Sequence, residues 1–383
     1  MNLLVSSRIQ SSLQSALHDE ANFGFRTLGP SGLKPSIMLK RPTTSLPAAL
    51  FSLIALLCVL CSGLSGAHAS TAIRFSLDRP IDGAAAPFVL ASVTDLFRAE
   101  DLTVTLDSAN GSDDAIARVA SGASDVALAD INALIRYRDK ENAQSIKAVF
   151  VLYNKAPYAV IARKSRGIKS MADIEGKTIG LVDNDLAAKL WPAVARRNHI
   201  DLGKVKAEKI NAAVREPMLS AGQLDAVTGL ALLSAINLRD RGVPANDLTV
   251  LRFADFGCLA YGHALIVNPA FAAKNPEAVK AFLRATMSGV RMTIKSPEHA
   301  IDIVMTRMNN GSRDIELERL QASIHDNIIT NEVRQNGLGG IETHRFEAAM
   351  DQIAEGYTFR KRPSSADIFD ESFLPPADDR KIN

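Results

Sequence analysis

Cysteine is scarce in this chain of 383 residues, and the three present build no disulfide framework. Cys58 and Cys61 imitate a C-x-x-C redox or zinc motif, but they fall in an apolar stretch that reads as a leader. Cys258 is then alone, which excludes an intramolecular disulfide and predicts a small buried hydrophobe. The histidines beyond the leader (His199, His263, His299, His325 and His344) have no ligand spacing, so each is expected on the surface or at a cap and no metal is expected. No G-x-S-x-G and no H-E-x-x-H occurs, so the common hydrolase and metalloprotease signatures are missing. Gly176-Lys177-Thr178 resembles the end of a phosphate loop, but Met171 stands where its first Gly belongs and a strand follows where a helix is needed. Gly337-Leu338-Gly339-Gly340 lacks the flanking strand and helix of a dinucleotide site and reads as a loop. No cofactor is expected.

Long apolar runs are also missing. The longest, Ala48 to Leu60, is shorter than the about 20 residues of a membrane span. It follows Lys40 and Arg41 and precedes Ala67-His68-Ala69, the pattern of a cleaved secretory signal peptide. Met38 lies just ahead of Lys40, and a start there would give a leader without a polar extension. Residues 1–69 are therefore set aside, with Met38 as the expected true start, and a soluble periplasmic protein is expected. Leu57 and Leu60 precede the two leader cysteines where a lipoprotein signal has a small residue, so no lipid anchor is expected. The leader holds five Lys/Arg and two acids of the chain's 44 and 42, which leaves 39 bases against 40 acids. That neutrality argues against nucleic acid or an anionic membrane as partner.

One phrase occurs twice: Gly122-Ala123-Ser124-Asp125-Val126-Ala127 and Gly222-Gln223-Leu224-Asp225-Ala226-Val227. In each, a Gly closes a helix and an Asp opens an apolar run, a helix-to-strand corner. Two such corners a hundred residues apart predict two similar α/β lobes with a cleft between them. Around the first, Ile73 to Leu77 reads as a strand, Ala84 to Arg98 as one helix, Leu102 to Leu106 as a strand and Asp113 to Ser121 as a helix capped by Ser112. Asp125 to Leu128 and Ile146 to Leu152 are further strands. Composition turns basic through Arg163-Lys164-Ser165-Arg166, where a lobe crossing is expected. Beyond it, Thr178 to Val182, Val205 to Ile210 and Asp225 to Thr228 read as strands, and Gly262 to Asn268 as the return to the first lobe. Asn275-Pro276-Glu277 starts a helix, with Pro at its first position and an acid in its first turn. The expected organisation is lobe 1 over 70–162, lobe 2 over 163–261, a return with C-terminal helices over 262–360 and a polar tail over 361–383. The fold class is α/β, with mainly parallel sheets, helices on both faces and a hinge of crossing strands.

Taken in order, Leu77-Asp78-Arg79, Asp95-Leu96-Phe97 before Leu102-Thr103-Val104, Gly111-Ser112, Gly122 to Asp130, Ile174 to Gly180 and Asn275 to Phe282 resemble the periplasmic solute-binding proteins of nitrate, sulfonate, taurine and thiamine-pyrimidine ABC importers. The resemblance spans nearly all of the chain after the leader. It implies a two-lobe periplasmic binding protein, not an enzyme, that closes about a hinge on a small organic sulfur or nitrogen compound and presents it to a membrane permease. A monomer is expected. A ligand sensor or an enzyme using the same cleft are the alternatives from other classes. Ligands of open α/β sheets sit beyond the carboxyl ends of strands. That rule nominates Asp78, Arg79, Gly83, Gly111, Ser112, Asp130, Asn154 beside Tyr153, Asp183, Asn184, Thr228 and Gly229, although Asp and Asn before helices are usually caps. Thiamine-precursor binders in the group tend to carry an aromatic residue after the first Asp and a His further along. Here Arg79 and Gly83-Ala84-Ala85-Ala86 stand instead, which weakens the pyrimidine reading and lets Arg79 hold an acid group. Asp78, Asp82, Asp113, Asp114, Asp130, Asp183 and Asp185 would repel a simple anion if they faced the cleft, and would then ask for a ligand with donors or positive charge. A thiamine-pyrimidine precursor or an aromatic acid is the alternative ligand.

Overall fold

The computed structural model describes residues 70–183 and 185–382, so the expected leader, the start at Met38 and the candidate Asn184 lie outside the described residues. Among the described residues no helix is long and apolar enough to cross a membrane. Short apolar runs punctuated by Gly, Asp and Pro become ten strands: β1 (Thr71–Leu77), β2 (Leu102–Ser108), β3 (Val126–Asp130), β4 (Lys147–Val151), β5 (Tyr158–Arg163), β6 (Thr178–Val182), β7 (Lys206–Ile210), β8 (Ala226–Leu230), β9 (Leu248–Arg252) and β10 (His263–Val267). They form two sheets, ordered β2-β1-β3-β10-β4 and β7-β6-β8-β5-β9. Position by position, these are the same topology.

In each sheet four strands point one way and one opposes them. β10 is antiparallel to β3 and β4, and β5 is antiparallel to β8 and β9. Each reversed strand is the one that has just crossed from the other sheet, since β5 follows β4 and β10 follows β9. The two exceptions to a parallel sheet therefore mark the two crossings that join the lobes. β3, β5 and β10 are covered on both faces, which is why they read as continuous apolar runs.

The repeated corner is one structure built twice. Gly122 and Gly222 end their helices with φ of 75° and 73°, where a side chain would be strained. Asp125 Oδ2 accepts the backbone N–H of Arg74 within β1 at 2.8 Å, and Asp225 Oδ2 accepts that of Thr178 at the start of β6 at 2.9 Å. An arginine closes on each carboxylate, Arg74 on Asp125 and Arg166 on Asp225.

Three local expectations are revised. The helix expected over Ala84–Arg98 is a 3-10 turn, a helix Ala86–Val93 and a short turn Leu96–Ala99. It breaks because Thr94 Oγ1 donates to the Leu90 carbonyl and Asp95 turns left-handed at φ 57°. The helix Ser112–Ser121 starts one residue early, with Gly111 in the cap position, because the Ser112 hydroxyl is used elsewhere. The polar tail folds back on the first sheet: Ile368 and Phe369 are buried and Phe369 bridges to Ala148.

Phe75 of β1 packs on Phe88 and Phe282 at ring separations of 5.0 and 5.2 Å, each ring contributing about 1.5–3 kcal/mol by burial. The long helix Pro276–Lys295 crosses Ala86–Val93 at Gly289, where a Cβ would collide with the Pro87 carbonyl oxygen. The C-terminal helix Thr343–Ala354 sends Phe346, Met350 and Ile353 into a core that also holds Ala127 and Ala129 of the first sheet and Val160 and Trp191 of the second lobe. Cys258 is a buried free thiol, and burial pushes it up to about 11.

Candidate functional site

Because four strands of each sheet run the same way, their carboxyl ends meet helix N-termini in one place, between the lobes. A cavity of about 60 Å³ lies there. Lobe 1 supplies Arg79 and Ala84 after β1, Tyr153 after β4 and His263 at the start of β10. Lobe 2 supplies Leu230 at the end of β8, Ala231, Leu232 and Leu233 after it, and Arg252 at the end of β9. The C-terminal helices add Arg319, Ala322, Ser323, Asp326 and Asn327.

Asp78 organises the lobe 1 wall. The last residue of β1 is Leu77, so Asp78 follows at the strand end, and it is 4% exposed. Arg79 donates to it through both Nε (3.0 Å) and a terminal nitrogen (3.1 Å), a bidentate pair. His263 Nε2 lies 2.8 Å from the same carboxylate, and Ser112 Oγ donates to it at 3.2 Å. Burial alone would raise this carboxyl, but the His263 ring and the Arg79 guanidinium win and hold it well below the usual carboxylate range. Ser112 also accepts the backbone N–H of Asp130 at 3.0 Å, so one hydroxyl ties the β1 and β3 strand ends together. Tyr153 meets His263 edge-on at 4.9 Å and donates to Ser323 at 3.1 Å, and burial pushes its phenol up to about 12.

The three cavity arginines are all committed. Arg79 is held by Asp78. Arg319 lies 3.1 Å from Glu316 and 3.6 Å from Asp82. Arg252 lies 3.0 Å from Asp255 and 3.3 Å from Asp326. Burial raises the Asp82 carboxyl in spite of Arg79 and Arg319.

The remaining nominated residues separate. Gly83 donates its N–H to Glu316 Oε2 at 2.6 Å and leaves no room for a side chain against the Glu316 carbonyl, so it seats the helix that carries Arg319. Gly111 turns at φ 98° and donates to the Asp78 carbonyl at 2.7 Å. Asp130 caps Ile131–Arg138 and accepts from Asn132 and from the Tyr158 hydroxyl of β5, a buried link between the lobes. Asn154 is taken by Arg345, Glu332 and Thr330 and does not line the cavity. Asp183 is exposed and pairs with Lys209 at 3.3 Å. Thr228 is fully buried in β8 with no partner for its hydroxyl, and Gly229 packs against Ser234 and Arg215. The lining begins one residue later, at Leu230.

His263 corrects an expectation, since it is 3% exposed and central to the site where a surface or capping role was expected. Its signal was a polar residue opening an otherwise apolar strand, His263-Ala264-Leu265-Ile266-Val267. Arg252 ends β9 and falls under the same strand-end rule, whereas Arg319 and Asp326 carry no local signal, because only the fold brings them there. Among the described residues, no three His, Cys, Asp or Glu side chains are grouped to hold a metal ion.

The family model described as "NMT1/THI5 like" matches residues 83–300, more than half of the chain. The chain belongs to the NMT1/THI5-like family. Among curated relatives, this family member is 28% identical over 249 residues to a riboflavin-binding protein, RibY, of Chloroflexus aurantiacus, which covers 62% of the chain and 68% of the relative. It is 28% identical over 227 residues to the 4-amino-5-hydroxymethyl-2-methylpyrimidine phosphate synthase of Schizosaccharomyces pombe, covering 55% of the chain and 62% of the relative. Among solved structures, the periplasmic aliphatic sulphonate binding protein SsuA of Escherichia coli aligns with a TM-score of 0.59 at 14% identity, over 76% of the chain and 94% of that protein. At that identity the likeness speaks for the fold, which is that of two-lobe periplasmic binding proteins.

Proposed function

We propose that this NMT1/THI5-like protein is a periplasmic solute-binding component of an ABC importer that captures a small nitrogen heterocycle by closing its lobes and delivers it to a membrane permease. One observation carries this reading: a cavity at the strand carboxyl ends is lined from both lobes, which are joined by two crossing segments. A solute touching both walls stabilises the closed form in proportion to its differential affinity for it.

The solute class follows from what the wall has left to offer. A sulfonate or nitrate needs free donors, whereas Arg79, Arg252 and Arg319 already face carboxylates. Adding a bare anion beside Asp78, Asp82 and Asp326 is unfavourable. A planar, weakly charged ring fits better between Tyr153 and the leucines after β8. Tyr153 and His263 instead bring an aromatic ring and an imidazole together beside the first loop. The names of the curated relatives, a riboflavin binder and a pyrimidine synthase, agree with a heterocycle.

Capture is favoured over turnover. Among the described residues lining the cavity there is no Lys or Cys, and the Ser323 hydroxyl is engaged by the Arg319 carbonyl and Tyr153. A thermal-shift screen with pyrimidines, flavins, alkanesulfonates, taurine and nitrate tests the reading, because a solute that binds only the folded state raises Tm. A shift by a pyrimidine or flavin, with the compound recovered unchanged, is expected. A shift by sulfonates alone overturns the solute class, and recovery of a converted product overturns the binding role.

A further inference from the structure

Among the described residues lining the cavity, one buried polar side-chain atom has no partner: His263 Nδ1. The other nitrogen of that ring is committed. Nε2 lies 2.8 Å from Asp78 Oδ2, and an ionised carboxylate only accepts hydrogen bonds. Asp78 is in turn fixed by Arg79 and Ser112, so it is a rigid acceptor. Arg79 also approaches Nε2 at 2.8 Å, but its terminal nitrogen is directed to the same Asp78 oxygen at 3.1 Å. The charge-assisted bond from Nε2–H to the carboxylate is the stronger arrangement. In the neutral ring it leaves Nδ1 as a bare lone pair. Position 263 opens β10 opposite Asp130 of β3, and Tyr153 holds the ring edge-on, so the imidazole cannot turn away to find another donor. A buried acceptor without a donor is costly and is retained where something else satisfies it.

We propose that His263 Nδ1 is the acceptor that selects the solute, and that the solute is a nitrogen heterocycle presenting an N–H to it. This inference rests on the heterocycle-binding reading above. Asp78 is then a positioning residue, setting the tautomer of His263 without touching the solute. A site built to accept an N–H should reject an analogue in which that hydrogen is replaced by methyl.

Two matched pairs test this: 4-amino-2-methylpyrimidine against its 4-dimethylamino counterpart, and lumiflavin against 3-methyllumiflavin. Calorimetry on the wild-type protein is expected to give at least about tenfold tighter binding of the N–H member of at least one pair. His263→Phe keeps a flat ring without the acceptor and should bind both members of that pair within about twofold. Equal affinities in the wild type, or discrimination that survives in His263→Phe, overturn the role of His263 while leaving the heterocycle reading standing. Failure of all four probes in the wild type overturns that reading and this inference with it. Nitrogen NMR of the wild-type imidazole is independent of any variant's folding: hydrogen on Nε2 and a bare Nδ1 is expected, and the reverse tautomer or a doubly protonated ring overturns the proposal.

Discussion

The two lobes are copies at one end of their strands and strangers at the other. Where strands begin, Asp125 and Asp225 make the same hydrogen bonds to β1 and β6, and each is closed by an arginine. Where strands end, lobe 1 presents a charged knot of Asp78, Arg79 and His263, while lobe 2 presents the leucines that follow β8. Backbone geometry has one cheap solution for turning a helix into a buried strand, so that corner is kept. The carboxyl ends face the cavity, where the two walls must do different things to one solute. Similarity between the lobes thus reports the architecture, and their difference reports the function.

The largest expected effect tests the charged knot against its counterpart. Asp78→Ala removes the buried carboxylate that serves Arg79, Ser112 and His263 together, and each buried group left without its partner costs about 1–3 kcal/mol. In the loop after β6, Asp185 pairs with Arg215 at 2.8 Å, but Arg215 also holds Glu216 at 3.0 Å. Asp185→Ala therefore leaves no orphan and should cost about 1 kcal/mol, the value of a helix cap. Urea denaturation separates the two, and equal losses break the comparison.

Acid titration sharpens it by sign. The Asp78 carboxyl lies below its ordinary value in the folded protein, so its contribution is complete above the unfolded value of about 3.9 and is lost as pH falls through the lower folded one. Asp185 is raised, by burial first, with Asp130 adding to it against Arg215. Its charged form therefore opposes folding, and that opposition is relieved as pH falls. The stability difference between wild type and Asp78→Asn should hold steady from pH 7 to 5 and shrink below about 4. For Asp185→Asn the difference should move the other way, wild type losing ground as pH rises from about 4 through the raised folded value. Parallel curves would mean that the two loops are electrostatically alike.

The corners should respond alike where the loops do not. Asp125→Ala and Asp225→Ala each remove an acceptor from a backbone N–H of the neighbouring strand, β1 or β6, worth about 1–3 kcal/mol. Asp125 is the more enclosed, at 12% side-chain exposure against 19%, so it should cost slightly more. Both variants should bind solute as the wild type does once folded, since neither touches the cavity. A binding defect in either would place the corner in the site and undo the division between the strand ends.

The sequence carried the corners and the order of elements because both are local. Asp125 and Asp225 sit beside the Gly that ends a helix and the run that starts a strand, and β6 has the bounds its apolar run predicts. The site was half legible. Asp78 and Arg79 follow a strand and could be nominated from that position alone. His263, a polar residue opening an apolar strand, and Arg252, at the end of β9, carried a weaker local signal, whereas Arg319 and Asp326 carried none, since only the fold brings their helix to the strand ends. Nominations that failed to reach the cavity did so for a physical reason. Asn154 and Asp183 had nearer partners in Arg345 and Lys209, and Thr228 lies inside β8, short of its end.

The smallest expected effect concerns how the unlike walls are held together. Arg239 reaches from lobe 2 to Glu318 at 2.6 Å, and Arg252 reaches Asp326 at 3.3 Å, both on the C-terminal helices packed against lobe 1. These partly exposed pairs are worth about 0.2–1 kcal/mol each, and salt screens them. Glu318→Gln with Asp326→Asn should favour opening and weaken solute binding by about twofold to tenfold, with less salt dependence than the wild type. Small-angle scattering without solute reads the opening directly, as a larger radius of gyration for the double variant at low salt and convergence of the two proteins at high salt. Should the radii already coincide at low salt, the ion pairs hold nothing closed, and the lobes are kept together by their buried links, the Tyr158 hydroxyl on Asp130 and the core shared through Phe346, Met350 and Ile353.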